Sequence, residues 1–220
     1  MYANVIKQFL AACQKLQGSD VIPSDAFISV KDASAQCYAL NNALVPLKDA
    51  SEDNVIIVDF NGNVVKGDQN GIDPYFAVHK SIYSKNPEIA TVVNPRSRWN
   101  SIWASLGMSL TPNSFFYTKY FSGETLCTGS VMLEPGDHLY EAIGKAITTK
   151  LQHKGIHSRG AVIVRNDSAL VWGKNPVATA ERAIVLEEIC FRALQTTSIT
   201  QGGDSFVAWE VSEQLLIKED

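Results

Sequence analysis

Residues 90–96, ATVVNPR, end an apolar, β-branched run on an amide, a proline and a guanidinium. Strand ends of this kind are where α/β proteins collect their binding and catalytic groups. Asn94 and Arg96 are therefore the first candidates for chemistry. They offer hydrogen bonding and a fixed positive charge, not a catalytic acid or a metal ligand.

The other chemistry-bearing residues give no strong constellation. His79 falls on the inward face of an expected helix and reads as a packed, hydrogen-bonded side chain, and His138 follows a helix cap and is expected to be exposed. His153 and His157 are four apart, but Lys154-Gly155 between them breaks the helix that would let them share a metal. Glu187 and Glu188 are adjacent on a helical pattern, about 100° apart, so they are expected to face solvent or pack between helices instead of forming a carboxylate pair. There is no Gly-x-Ser-x-Gly elbow, no Walker loop and no Gly-x-Gly-x-x-Gly.

The chain that must position these groups has 220 residues, 45% of them hydrophobic, which suits one domain over 1–220 with one sizeable core. A net charge of −4 offers no basic field for nucleic acid. No apolar run approaches the ~20 residues of a membrane span. The N-terminal segment is an amphipathic helix by its spacing (Val5, Ile6, Phe9, Leu10, Cys13, Leu16), not a signal peptide, so a cytoplasmic location is expected. The four cysteines stand far apart in apolar contexts and read as buried free thiols.

Strands are expected over 27–31, 36–40, 54–60, 63–66, 90–94, 114–121, 130–133, 160–165 and 169–172, with Asn61-Gly62 turning a hairpin. Helices are expected from Asp73-Pro74 to about 85, over 97–106 with a stop at Gly107, from Asp137 to about 151, over 176–196 capped by Asn175, and over 206–217. Strands joined by tight turns pair antiparallel, and helices interspersed among them make the class α/β.

Three stretches resemble the class II aldolase/adducin family of sugar-phosphate aldolases, epimerases and dehydratases. They are NVIIVDFNGNVVKG with the following helix that holds His79-Lys80-Ser81-Ile82-Tyr83, PEIATVVNPRSRWNSIWASLG, and GAVIVRNDSALVWGKNPVATAERAIVLEEIC, and the likeness spans roughly 24–197. The resemblance implies a three-layer α/β/α fold with a central, mainly antiparallel sheet, and a homo-oligomer, often a tetramer. It also implies a zinc ion on three histidines, a glutamate that moves the proton, and a loop that holds a phosphate.

At the positions that match those motifs, this chain departs from the pattern. The His-x-His at the strand end is Asn94-Pro95-Arg96, the histidine of the Asn-His-Gly turn is Asp167, and the glutamate four residues before the helix histidine is Tyr75. The Gly-Asn pair of the phosphate loop is Ala26-Phe27, and the Ser-Gly after Thr-Pro is Leu47-Lys48 after Val45-Pro46. The zinc that the family uses therefore lacks its ligands, and no metal or other cofactor is expected. A non-catalytic ligand-binding or oligomeric assembly protein follows, with an active sugar-phosphate lyase on a rearranged site as the alternative. If the four degenerate cleft positions Tyr75, Asn94, Arg96 and Asp167 converge as in the family, Arg96 and Asp167 are expected to pair bidentately where the metal would sit. A competing expectation makes Arg96, Arg98 and Lys48 an anion pocket for a phosphate or carboxylate, with Tyr75 as donor. A third leaves both arginines as solvated turn residues and packs Tyr75. The aromatic run at Phe115-Phe116-Tyr117 matches a region near the family's subunit interface.

Overall fold

A computed structural model describes residues 2–131, 133, 138–152, 155–157 and 159–200. Seven strands form one sheet: β1 (Phe27–Asp32), β2 (Cys37–Leu40), β3 (Ile56–Asp59), β4 (Val64–Lys66), β5 (Thr91–Asn94), β6 (Gly160–Ile163) and β7 (Ala169–Gly173). Their order is β4-β3-β2-β1-β5-β7-β6, and every neighbouring pair is antiparallel.

Alternation along the strands splits the core in two. On one face, Ile28, Val30, Val93 and Val171 pack against α1 (Ala3–Gln17), α3 (Arg98–Leu106), α4 (Phe115–Tyr120) and α6 (Pro176–Thr200). On the other, Phe27, Leu40, Val92 and Leu170 pack against α2 (Phe76–Tyr83) and α5 (Leu139–Leu151). This is the three-layer α/β/α arrangement that the resemblance implies. In α1 the buried residues Val5, Ile6, Phe9, Ala12, Cys13 and Leu16 make one stripe, and each large apolar side chain there stabilises the fold by about 1.5–3 kcal/mol.

Several local expectations hold. Gly107 ends α3 in the left-handed region at φ +66°, and Asn175 caps α6 by accepting from the Ala178 N–H at 3.0 Å. The Asn61-Gly62 turn joins β3 to β4.

Two expected strands are corrected. The stretch 114–121 holds the helix α4 (Phe115–Tyr120) instead, because the Ser114 hydroxyl accepts from the Tyr117 N–H and starts a helical turn. Tyr117, Thr118 and Phe121 then face inward at helical spacing, and Phe115 faces solvent. Ser130, Val131 and Leu133 lie in no strand; the chain bridges earlier, at Leu110 with Thr125 and at Cys127 with Ile163. The second helix begins at Phe76, not Pro74, with Asp73 capping the turn before it through the Tyr75 N–H at 2.8 Å. The expected cap at Asp137, the side chain of His153 and the helix expected over 206–217 lie outside the described residues.

Candidate functional site

The C-terminal end of β5 and the β6–β7 turn bring the four cleft positions together. Asn94 is fully buried, and its Oδ1 accepts from the Ser168 hydroxyl at 3.0 Å and from the Arg96 N–H at 3.3 Å. Tyr75, 4% exposed, donates its hydroxyl to Asp167 Oδ2 at 2.5 Å, and the Arg96 guanidinium lies 5.6 Å from the Tyr75 ring centroid. Tyr75 thus stands between the two charged residues.

Arg96 does not pair with Asp167 as expected. Its Nη2 donates to Asp73 Oδ2 at 2.7 Å and its Nη1 to the Asp25 carbonyl at 2.8 Å. The physical reason is local. Asp73 starts the turn that leads through Tyr75 into α2, and its carboxylate has one oxygen on the Tyr75 N–H and the other turned to the guanidinium. Asp167 is meanwhile engaged by the phenol. Arg96 also has φ +48°, a left-handed conformation that a residue with a long side chain adopts only when its surroundings impose it. Its side chain is 26% exposed, so it is not a freely solvated turn residue.

The start of α3, just beyond Arg96, is held from across the core. Glu187 on α6 is 2% exposed and accepts from the Ser97 hydroxyl at 2.6 Å and from the N–H groups of Trp99 and Asn100 at 2.8 and 3.0 Å. A carboxylate at a helix N-terminus is favoured by both the orphan donors and the dipole. Glu187 is therefore a buried cap. Glu188 is exposed and pairs with Arg192 at 2.7 Å.

His79 is fully buried beside this cluster. Its Nδ1 lies 2.8 Å from the Ser29 hydroxyl, and its ring is 4.7 Å from that of Phe27. Burial, and then the nearby Arg96 charge, hold its pKa well below the ordinary histidine value. Burial, and then Asp167, raise that of Tyr75 well above the usual phenol value. Tyr75 is a fixed donor and His79 a neutral ring at physiological pH.

Lys48 and Arg98 are not drawn into the cluster. Both are exposed, and neither side chain has a hydrogen bond or ion pair among the described residues. Lys48 sits on a short 3-10 turn whose Leu47 N–H bonds the Ser24 carbonyl, next to the Asp25 that receives Arg96. The cluster itself sets two carboxylates, Asp73 and Asp167, against one guanidinium. That local excess of negative charge disfavours a phosphate or carboxylate at Arg96.

These donors do not fit a three-histidine zinc centre. A guanidinium has no lone pair to offer a metal and brings its own charge. The Asn94 carbonyl oxygen and the Asp167 Oδ2 are already taken by Ser168 and Tyr75.

The chain belongs to the class II aldolase and adducin N-terminal domain family, whose model matches residues 8–194. Solved structures share the fold at low identity. An L-fuculose 1-phosphate aldolase superposes with a TM-score of 0.73 at 16% identity, covering 90% of this chain and 88% of the other. An aldolase II superfamily protein from Pseudomonas syringae gives 0.72 at 14%, covering 96% and 83%. The L-fuculose-1-phosphate aldolase from Thermus thermophilus gives 0.66 at 16%, covering 92% and 99%.

Proposed function

We propose that this chain is a class II aldolase-fold protein that has lost zinc-dependent aldol chemistry and works by binding a ligand or by assembling into an oligomer. The observation that carries the reading is Arg96. Arg96, in a left-handed backbone conformation with its guanidinium bonded to Asp73 and the Asp25 carbonyl, matches in sequence the position that the family gives to a metal-binding histidine. A cation held there opposes a divalent ion by charge.

Elemental analysis of the purified protein, with a retro-aldol screen on ketose phosphates, tests it. The expected outcome is sub-stoichiometric zinc and no turnover; one zinc per chain or measurable cleavage would overturn the reading. A second reading, a sugar-phosphate lyase on a rearranged site, is favoured by one observation: a phenol and a carboxylate in contact at the family's proton-transfer position. With its pKa raised by burial and by Asp167, Tyr75 serves there as a donor and not as a base.

A homo-oligomer, starting from the family's tetramer, is part of the proposal. Ile102, Leu106, Met108 and Phe115 are all more than two-fifths exposed and supply apolar surface for it. A monomeric mass by light scattering would remove this part. The cytoplasm is the proposed compartment, supported by four buried, free cysteines. No helix among the described residues is long and apolar enough to cross a membrane.

A further inference from the structure

Two Asn-Gly pairs stand close together in the chain, Asn61-Gly62 and Asn70-Gly71. A glycine after asparagine leaves the main-chain nitrogen unhindered, so it can reach the asparagine side-chain carbonyl and close a succinimide ring. The two pairs share this chemistry and differ in their surroundings.

Asn61-Gly62 turns between β3 and β4 in the open. Both residues are exposed, the Asn61 side-chain amide has no hydrogen bond among the described residues, and a Cβ placed on Gly62 would meet nothing within 4 Å. The Gly62 N–H donates to the Asp59 carbonyl at 3.0 Å. Asn70-Gly71 carries the same turn bond, from the Gly71 N–H to the Asp68 carbonyl at 3.0 Å, so that restraint is common to both. The rest of its surroundings are tighter. The Asn70 N–H donates to Asp68 Oδ1 at 2.9 Å and the Gly71 carbonyl accepts from the Ala43 N–H at 2.8 Å. Gly71 is also buried, packed so closely on Asn42 that a Cβ there would collide with its side chain. Swinging the Gly71 nitrogen onto the Asn70 side chain therefore strains bonds on both sides and displaces Asn42. The same motion at Gly62 costs the turn bond to Asp59 and displaces nothing.

We propose that Asn61 is a site of spontaneous covalent modification, converted through a succinimide to isoaspartate and aspartate, and that the fold shields Asn70 from the same fate. The Gly62 nitrogen gives up its proton and bonds to Asn61 Cγ. The bond from Cγ to Nδ2 breaks, and ammonia leaves with a proton taken back from solvent. Water then opens the ring. Breaking the bond from the Gly62 nitrogen to Cγ gives aspartate, and breaking its bond to the Asn61 main-chain carbon gives isoaspartate, whose main chain runs through the side chain. The change falls inside a closed loop. Asp59 donates its N–H to the Asn63 carbonyl at 2.9 Å and accepts on its carboxylate from the Asn63 N–H and Nδ2 at 2.8 and 2.9 Å. Isoaspartate adds a main-chain atom between these partners, and either product sets a new carboxylate near that of Asp59. β4, the edge strand that follows, is three residues long and pairs with β3 alone. It is the element that a distorted loop releases first. The site lies at the far edge of the sheet from the cleft and is independent of how the cleft is read.

The test is to age the full chain in mildly alkaline buffer and map its tryptic peptides by mass spectrometry, with isoaspartyl methyltransferase labelling. Cleavage after Lys66 separates the two pairs. The mass gain of NH exchanged for O is expected at Asn61 about tenfold faster than at Asn70, with isoaspartate label on the Asn61 peptide. In urea the two pairs are expected to convert at similar rates, because only the fold distinguishes them. Asn70 converting as fast as Asn61 in the folded chain, or Asn61 still intact when the urea-unfolded chain has fully converted, would overturn the proposal. Asn61→Gln, whose longer side chain closes a less favoured ring, is expected to abolish the label; an undiminished label would place the modification elsewhere and overturn it. Hydrogen exchange in the aged chain is expected to quicken over residues 57–66 and to stay as it was in α1; unaltered exchange in β4 would overturn the effect assigned to that strand.

Discussion

The two ends of β6 treat their polar groups in opposite ways. Beyond its C-terminal end, in the cleft, Asp73, Tyr75, Arg96 and Asp167 satisfy one another, with Glu187 bracing the neighbouring helix start. At the other end, beside Ala161, the polar edge of the strand faces an open cavity. In the cleft, charge has been turned inward to hold segments together, so substitutions there are expected to register as stability. At the cavity, where Arg159 and His157 are exposed, they are expected to cost little.

Glu187→Ala is expected to be the most damaging change, costing about 3 kcal/mol in urea unfolding, because a hydroxyl and two backbone N–H groups lose a buried charged acceptor at once. A loss under about 1 kcal/mol would mean that the cleft side is not braced from α6. Next is Arg96→Ala, at about 1–2 kcal/mol, discounted for partial exposure. A double-mutant cycle sharpens it: Arg96 with Asp73 should couple by about 1 kcal/mol, and Arg96 with Asp167 by less than about 0.5. The reverse ranking would restore the pairing read from the sequence.

His79 supplies a pH signature of about 1 kcal/mol by pH 5.5. Its folded pKa is depressed by burial and by Arg96, so below the unfolded value of about 6.5 the unfolded chain binds the extra proton. Stability attributable to His79 is therefore present above that pH and lost as pH falls. Urea midpoints at pH 7.5 and 5.5, compared between the parent and His79→Gln, should show a smaller acid loss in the variant. Tyr75→Phe removes one hydrogen bond to Asp167 and is expected to cost about 1 kcal/mol in thermal or urea unfolding. Arg159→Gln, at the rim of the cavity, should change stability by less than about 0.5 kcal/mol. A larger loss would erase the contrast between the two ends.

The framework was legible in the sequence because its signals are local. Apolar alternation, the Asn61-Gly62 turn, the Gly107 stop and the Asn175-Pro176 start each depend on a few adjacent residues. The helix α4 was misread because aromatic residues favour strands, while its decisive signal, the capping hydroxyl of Ser114, is a single side chain. The cleft positions were found by resemblance, but their pairing was not. Asp73 lies 23 residues from Arg96, and its sequence context marked it as a helix cap. The same carboxylate does both jobs, one oxygen for each. Glu187 lies about 90 residues from the helix it caps, and no periodicity carries that information. The β6 cavity depends on which way the backbone of Ala161 faces and on the missing Cβ at Gly160, neither of which a sequence pattern encodes.

The bond between Asp73 and Arg96 also ties the fate of one position to the other. A single change of Arg96 to histidine would strand Asp73, 6% exposed, without its counter-charge. A histidine at 96 is accommodated only if Asp73 changes first or together with it, so the salt bridge acts as a latch that no single substitution on one side opens without cost.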